Sequence, residues 1–347
     1  MNTNTKTNIR LLSISDLEAF FIKNNDKSFR GKQVYDWLWK KHTLSFEDMN
    51  NLTKPFRQLL TEHFYINQTK INTIQKSTDK TIKVSFLLCD KSFVEGVLIP
   101  DKERVTACIS SQVGCALNCQ FCATGKFGFK RDLGFDEIFD EFALLNELSV
   151  KEYKQNITHI VYMGMGEPLM NYDNVMRSIK KLTSDEGLGI SPRRITVSTV
   201  GIPSMIKKLA DDKVKFNLAI SLHSADNSRR SSIAPINKKH PLSELSDAIK
   251  YFYKKTQSRI TYEYLLLKGI NDTIADAKLL AEFCKISPCK INLIEYNNND
   301  IPGFTKSDKS YTNSFADYLN SRNLVVNIRR SRGNDIKAAC GQLANAF

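Results

Sequence analysis

From residue 105 onward, short apolar runs alternate with amphipathic segments. The runs at 105–110, 157–163, 194–199, 215–222, 260–267 and 290–296 predict strands. Between them, 136–148, 173–183, 203–211, 242–256 and 275–285 have the period of helices. Such alternation predicts a parallel α/β domain. Six units make an incomplete (βα)6 barrel, with functional residues gathered at the C-terminal ends of its strands. A last strand, 324–329, leads into a polar, glycine-containing tail. Upstream the period changes. Lys83-Val84-Ser85-Phe86 and Val94-Glu95-Gly96-Val97-Leu98 flank Asp90-Lys91 and predict a β-hairpin. Within it, Glu95 reads as an exposed strand carboxylate. Residues 13–65 read as helical. Ser15 and Glu18 have the spacing of a capping box ahead of Phe20 and Phe21. Val34, Trp37 and Leu38 share one side of a segment at 30–41, Ser45 opens a third short helix, and Lys54 to His63 suggest a fourth. The resulting division is a small helical domain (1–75), a β-hairpin extension (76–103), the barrel (104–330) and a tail (331–347).

Composition narrows the class. A hydrophobic content of 41% over 347 residues suffices for an ordinary globular core. No apolar run approaches a membrane span. Met1 to Arg10 is polar and lacks the apolar stretch of a signal peptide, so a cytoplasmic protein is expected. In that compartment eight cysteines read as thiols rather than as a disulfide framework. Fifty basic residues stand against 37 acidic ones, a net charge of +13. This fits a nucleic-acid partner, with an anionic membrane and general solubility as competing explanations. The basic helical region is either an RNA-docking module or a solvated cap on the main domain.

Three thiols fall within eight residues, at Cys115, Cys119 and Cys122, spaced C-x3-C-x2-C. Soft thiolates this close point to a metal or an iron–sulfur cluster. A closed zinc site needs four ligands, and the nearest histidine in sequence is His159. Zinc with a distant fourth ligand and three inert buried thiols remain alternatives. A [4Fe–4S] cluster on three cysteines leaves one iron free for a small molecule. The spacing resembles the radical S-adenosylmethionine (SAM) superfamily, which implies that this iron binds the amino and carboxylate groups of SAM.

Polar motifs follow several strands. Gly164-Met165-Gly166-Glu167-Pro168 would let a ligand approach the backbone, and Glu167 could bind an ammonium group. Ser198-Thr199-Val200-Gly201, Ser221-Leu222-His223 and Asn297 sit at other strand ends. Each alone is as well explained by a turn or a capped strand end. Their shared position favours one binding site.

Taken together, Cys108-Ile-Ser-Ser-Gln-Val-Gly-Cys115, the cysteine loop, Cys122-Ala-Thr-Gly125, Gly164-Met-Gly-Glu-Pro-Leu169, Ser221-Leu-His223 and Ala339-Cys-Gly-Gln-Leu343 resemble the RlmN/Cfr family, and Pro168 the RlmN branch. The resemblance spans essentially the whole chain. It implies radical SAM methylation of adenine carbon 2 in 23S ribosomal RNA and in tRNA, using two SAM molecules. Cys115, Cys119 and Cys122 would hold one [4Fe–4S] cluster. Gly166, Glu167, Ser198, Ser221, Leu222, His223 and Asn297 would line the SAM site. Cys340 would accept a methyl group, Cys108 would be its partner in a transient disulfide, and Glu95 would accept a proton. A small flavodoxin-like electron donor, a monomeric state and no membrane partner are further expectations. Ser224-Ala225 and Lys337 depart from the family pattern without touching these positions, and Cys89, Cys284 and Cys289 match no family role. A radical SAM enzyme of another substrate class and an iron–sulfur RNA-binding protein are the competing functions; neither needs Cys340 or Cys108.

Overall fold

The computed structural model describes residues 6–299 and 301–344. The start of the polar segment considered above, residues 1–5, lies outside them. A ten-stranded sheet dominates the chain. Its strands are β1 (Lys70–Lys76), β2 (Ile82–Leu87), β3 (Phe93–Asp101), β4 (Arg104–Ile109), β5 (His159–Tyr162), β6 (Ile195–Thr199), β7 (Asn217–Ser221), β8 (Ile260–Leu266), β9 (Cys289–Glu295) and β10 (Val325–Arg329). Their spatial order follows the sequence, from β10 at one edge to β1 at the other. Strands β4 to β10 pair parallel, and β1 to β4 pair antiparallel. The edge strands do not bond each other, so the barrel is open. The predicted hairpin is thus a three-stranded antiparallel extension of the same sheet. Its outer strand, β1, is exposed on nearly every residue, which is why no alternation marks it in sequence.

Helices α4 (Phe135–Tyr153), α5 (Tyr172–Thr183), α6 (Pro203–Asp211), α7 (Leu242–Thr256), α8 (Ile274–Phe283) and α9 (Lys309–Ser321) connect the parallel strands. Covered strands read as continuous apolar runs. In β8 every residue is buried, including Glu263.

The helical region contains α1 (Ile14–Lys23), α2 (Phe29–Trp39) and α3 (Lys54–His63). The capping box is Ser13 with Asp16, not Ser15 with Glu18. Ser13 has the extended backbone of an N-cap, whereas Ser15 is already inside the helix. Val34, Leu38, Trp39 and Leu60 are buried. Trp39 stacks on Phe135 of α4 at 5.5 Å and meets Phe139 edge-on at 5.0 Å. Beside it, Arg10 pairs with Asp140 at 2.5 Å, both side chains 1% exposed. The helical region is therefore built into the wall of the barrel domain.

Candidate active site

The C-terminal ends of the parallel strands surround one cavity. It is lined by Cys108, Cys115, Cys119, Cys122, Gly166, Glu167, Ser198, Ser221, His223, Asn297 and Cys340. Two expected site residues do not line it. Leu222 is fully buried behind the wall, where its carbonyl accepts from Arg230. Glu95, read locally as an exposed strand carboxylate, is 1% exposed. One of its oxygens accepts the Ala344 N–H at 3.0 Å and the other lies 3.4 Å from Lys83. The chain's tail covers it, a contact 249 residues long that no local pattern reveals.

The cysteine loop is held by its backbone. The Cys115 N–H donates to Gly128, Gln120 to Ile233, and Cys122 to Cys119. Asn118, at φ 47, makes the left-handed turn between the first two thiols. Burial pushes the Cys115 thiol up to about 12 and Cys119 up as well. Left alone these groups stay protonated; a bound metal deprotonates such thiols outright.

Behind the loop, Arg230 is fully buried. It donates to the carbonyls of Leu222 (3.0 Å) and Val200 and to the Asn237 side chain (2.7 Å). All three acceptors are neutral. Burial lowers its pKa to about 10, so it remains charged at neutral pH, and Cys119 interacts with it favourably. Among the described residues no carboxylate pairs with it. A buried cation without an anion suits a site that receives an anionic, thiolate-bound cluster. Among the described residues, no three His, Cys, Asp or Glu side chains converge as ligands of a single metal ion.

The neighbouring loops form a polar cradle. A Cβ on Gly166, whose φ is +98, would come within 2.6 Å of Gln112, so only glycine fits. Glu167 is buried and accepts the Leu169 N–H (3.1 Å) and Val200 N–H (2.9 Å). Burial raises its pKa. Among the described residues no cation pairs with it, and it suits an ammonium group. The hydroxyls of Ser198 and Ser221 face each other at 3.3 Å. His223 accepts the Leu265 N–H at Nδ1, which leaves the proton on Nε2. Burial lowers its pKa to about 3, so the ring is neutral. It meets Phe121 of the cysteine loop edge-on at 4.7 Å.

The tail is stapled over this cavity. Gly341 accepts the Ala123 N–H at 2.8 Å, and Leu343 accepts the Thr124 hydroxyl at 2.6 Å. Asn297 reaches the Cys340 carbonyl at 3.4 Å. Asp79, in the turn between β1 and β2, accepts the Gly333 N–H, and Asp335 accepts the Ser77 hydroxyl. Cys340 is open to solvent within the cavity, and Cys108 is buried in its wall; both are free thiols. Burial raises the Cys108 thiol, desolvation between the cavity walls raises that of Cys340, and each feels the Arg329 cation. Arg329 ends β10 and pairs at 3.4 Å with Glu263, which accepts from Asn292 at 2.8 Å. Arg230, Arg329 and Glu263 were not foreseen from sequence. Charged residues in strand or helix segments read as solvated, and only the packing of the folded chain turns them inward.

An open parallel sheet with three thiols at its mouth and a polar cradle beside them defines a radical SAM enzyme. Residues 109–281 match the model of the radical SAM superfamily, and residues 7–66 that of the ribosomal RNA large subunit methyltransferase N-terminal domain. A probable dual-specificity RNA methyltransferase RlmN from Christiangramia forsetii is 53% identical, covering 98% of this chain and 97% of that relative. One from Fervidobacterium nodosum is 42% identical, covering 99% and 98%. A crystal structure of a radical SAM methyltransferase from Sphaerobacter thermophilus superposes with a TM-score of 0.91 at 34% identity, covering 97% and 99%. The chain belongs to the RlmN family, whose cofactors are a [4Fe–4S] cluster and SAM. The residues in the cavity fit both.

Proposed function

We propose that this chain is an RNA methyltransferase that modifies carbon 2 of adenine in 23S ribosomal RNA and in tRNA through two cysteines. The observation that carries this reading is the meeting of Cys340 and Cys108 with the three-thiol loop on one cavity. Cys115, Cys119 and Cys122 hold the cluster, and the Gly166–Glu167, Ser198, Ser221–His223 and Asn297 positions hold SAM. When bound, these groups supply the methyl carbon and a carbon-centred radical, which an electron-poor ring carbon between two nitrogens requires. The chain supplies placement and thiol chemistry. Cys340 carries the carbon as a thioether, so its thiol must first lose a proton. Arg329 favours that ionisation. Once the carbon has joined adenine, the Cys108 thiolate attacks the Cys340 sulfur. An S–S bond forms, the S–C bond breaks, and the released carbon takes up a proton. An intracellular thiol then reduces the disulfide. Glu95 accepts the carbon-2 proton once the tail that covers it moves. A small flavodoxin-like protein supplies electrons, and the chain acts as a cytoplasmic monomer; among the described residues no helix is long and apolar enough to cross a membrane.

The test is a pair of variants purified with cellular RNA. Cys108→Ala should accumulate a covalent protein–RNA complex that nuclease digests, seen on denaturing gels. Cys340→Ala should form none. Free methylated RNA from Cys108→Ala at the wild-type rate would sink the two-cysteine route.

A further inference from the structure

Directly after the cysteine loop the chain runs Gly125-Lys126-Phe127-Gly128-Phe129-Lys130. Phenyl rings are normally buried, yet Phe127 and Phe129 are 50% and 49% exposed. The backbone that presents them is fixed. A Cβ on Gly114, at φ +79, would lie 1.7 Å from the Gly128 carbonyl oxygen. That same oxygen accepts the Cys115 N–H at 2.8 Å. The turn is thereby tied to a residue that lines the cavity. Thr124 and Gly125, in the short helix that ends at Phe127, line it too. Both rings therefore stand beside the cavity mouth.

Their neighbours are basic and uncompensated. Lys126 bonds Gln120 at 2.6 Å, and Lys130 bonds the Ser92 hydroxyl. Both partners are neutral, and among the described residues neither lysine forms an ion pair. Arg131, in contrast, is neutralised by Asp90 and Glu137. Half-exposed rings flanked by lysines that have only neutral partners match unpaired nucleotides, which offer flat base faces and phosphates. A protein partner would call for a contiguous patch of roughly 800 Å² on each side, which two rings set between lysines do not supply.

We propose that Phe127 and Phe129 form a stacking platform for unpaired bases of the substrate RNA beside the cavity mouth. Lys126 and Lys130 hold the adjoining phosphates. The inference rests on the RNA methyltransferase reading above. It is tested with the iron-loaded full-length chain and a fluorescein-labelled RNA hairpin bearing an adenine-containing loop, by anisotropy over a range of salt. Phe127→Ala and Phe129→Ala should each weaken binding about tenfold, with the slope against salt unchanged. Phe→Trp at either position should restore the affinity. Lys126→Ala and Lys130→Ala should each lower the salt slope by roughly one. Iron content and SAM affinity equal to the wild type certify the fold of each variant. A double alanine variant that binds within twofold of the wild type overturns the platform. So does wild-type RNA affinity combined with slower reduction by flavodoxin but not by dithionite, which would make this face the donor's docking site. A wild-type chain that binds no RNA would overturn the methyltransferase reading and this inference with it.

Discussion

Arg230 offers the sharpest test of how the fold prepares the cluster site. Replacing it by Met keeps much of the buried stem and removes the charge. In the chain without cofactors the change has two opposed effects. Three neutral acceptors, on Leu222, Val200 and Asn237, lose their donor; each stranded acceptor costs about 1–3 kcal/mol. Against this, a buried cation with no anion returns several kcal/mol when it is removed. The net loss should be about 2 kcal/mol. In the iron-loaded chain a third effect joins. The thiolate-bound cluster is anionic, and Arg230 already interacts favourably with Cys119; a cation near such an anion at an effective dielectric near 20 is worth on the order of 3 kcal/mol. The loaded variant should then lose about 5 kcal/mol. Taking about 3 kcal/mol/M as the urea slope for a chain this size, the midpoints should fall by about 0.7 M without iron and about 1.7 M with it. Anaerobic urea titrations followed by circular dichroism, on reconstituted and iron-free protein, measure both. An equal loss in the two forms would refute the idea that Arg230 compensates the cluster, and leave it only a clamp between the 200 and 222 loops.

Other consequences follow from the same geometry. Cys119→Ala should lose cluster assembly, because two protein thiolates do not retain the cuboidal site; full iron content and unchanged visible absorption in the anaerobically purified variant would remove Cys119 from the ligand set. The docking of the helical region should depend on pH at both ends. Burial opposes the charge of Asp140, but Arg10 and His42 outweigh it and hold its pKa low. That contribution is present above the unfolded value near 3.9 and is lost as pH falls through the lowered one. Burial likewise opposes the charge on His42, but hydrogen bonds to Asp140 and Glu147 hold its pKa up. Its contribution is complete below about 6.5 and fades as pH rises through the raised value. Hydrogen-exchange protection of residues 6–66, corrected for the intrinsic rate at each pH, should therefore be greatest between about pH 4 and 6.5, and a flat profile would contradict the assignment. Asp140→Asn strands Arg10 and should cost about 3–5 kcal/mol, read from thermal or urea unfolding. Deleting residues 1–70 would expose Phe135 and Phe139 as well. Charge reversal at Lys32, Lys40 and Lys54 is the cleaner probe of RNA docking, and an unchanged salt slope in that triple variant would mark the helical region as a cap.

The chain's own pattern already contains the architecture and the cluster loop. Apolar runs separated by amphipathic helices pack as a parallel sheet flanked by helices, and the alternation from 105 to 296 states this locally. The spacing of Cys115, Cys119 and Cys122 is local too, and all three line one cavity. Glycine at 166 likewise carries its meaning in the sequence, since a close approach needs a residue without Cβ. What the tertiary structure decided is which polar groups are buried. Glu95 is enclosed by Lys83 and by Ala344, 249 residues away. Arg329 meets Cys108 and Cys340 only because the sheet curves β10 towards β4 and the tail folds back. Strand β1 has no alternation to betray it, because both of its faces are exposed. Phe127 and Phe129 are half exposed beside the close approach of Gly114 to Gly128, which the folded chain alone reveals. Period and spacing depend on neighbours a few residues apart. Burial and charge compensation depend on partners brought together by the closed fold, which no short window of the chain contains.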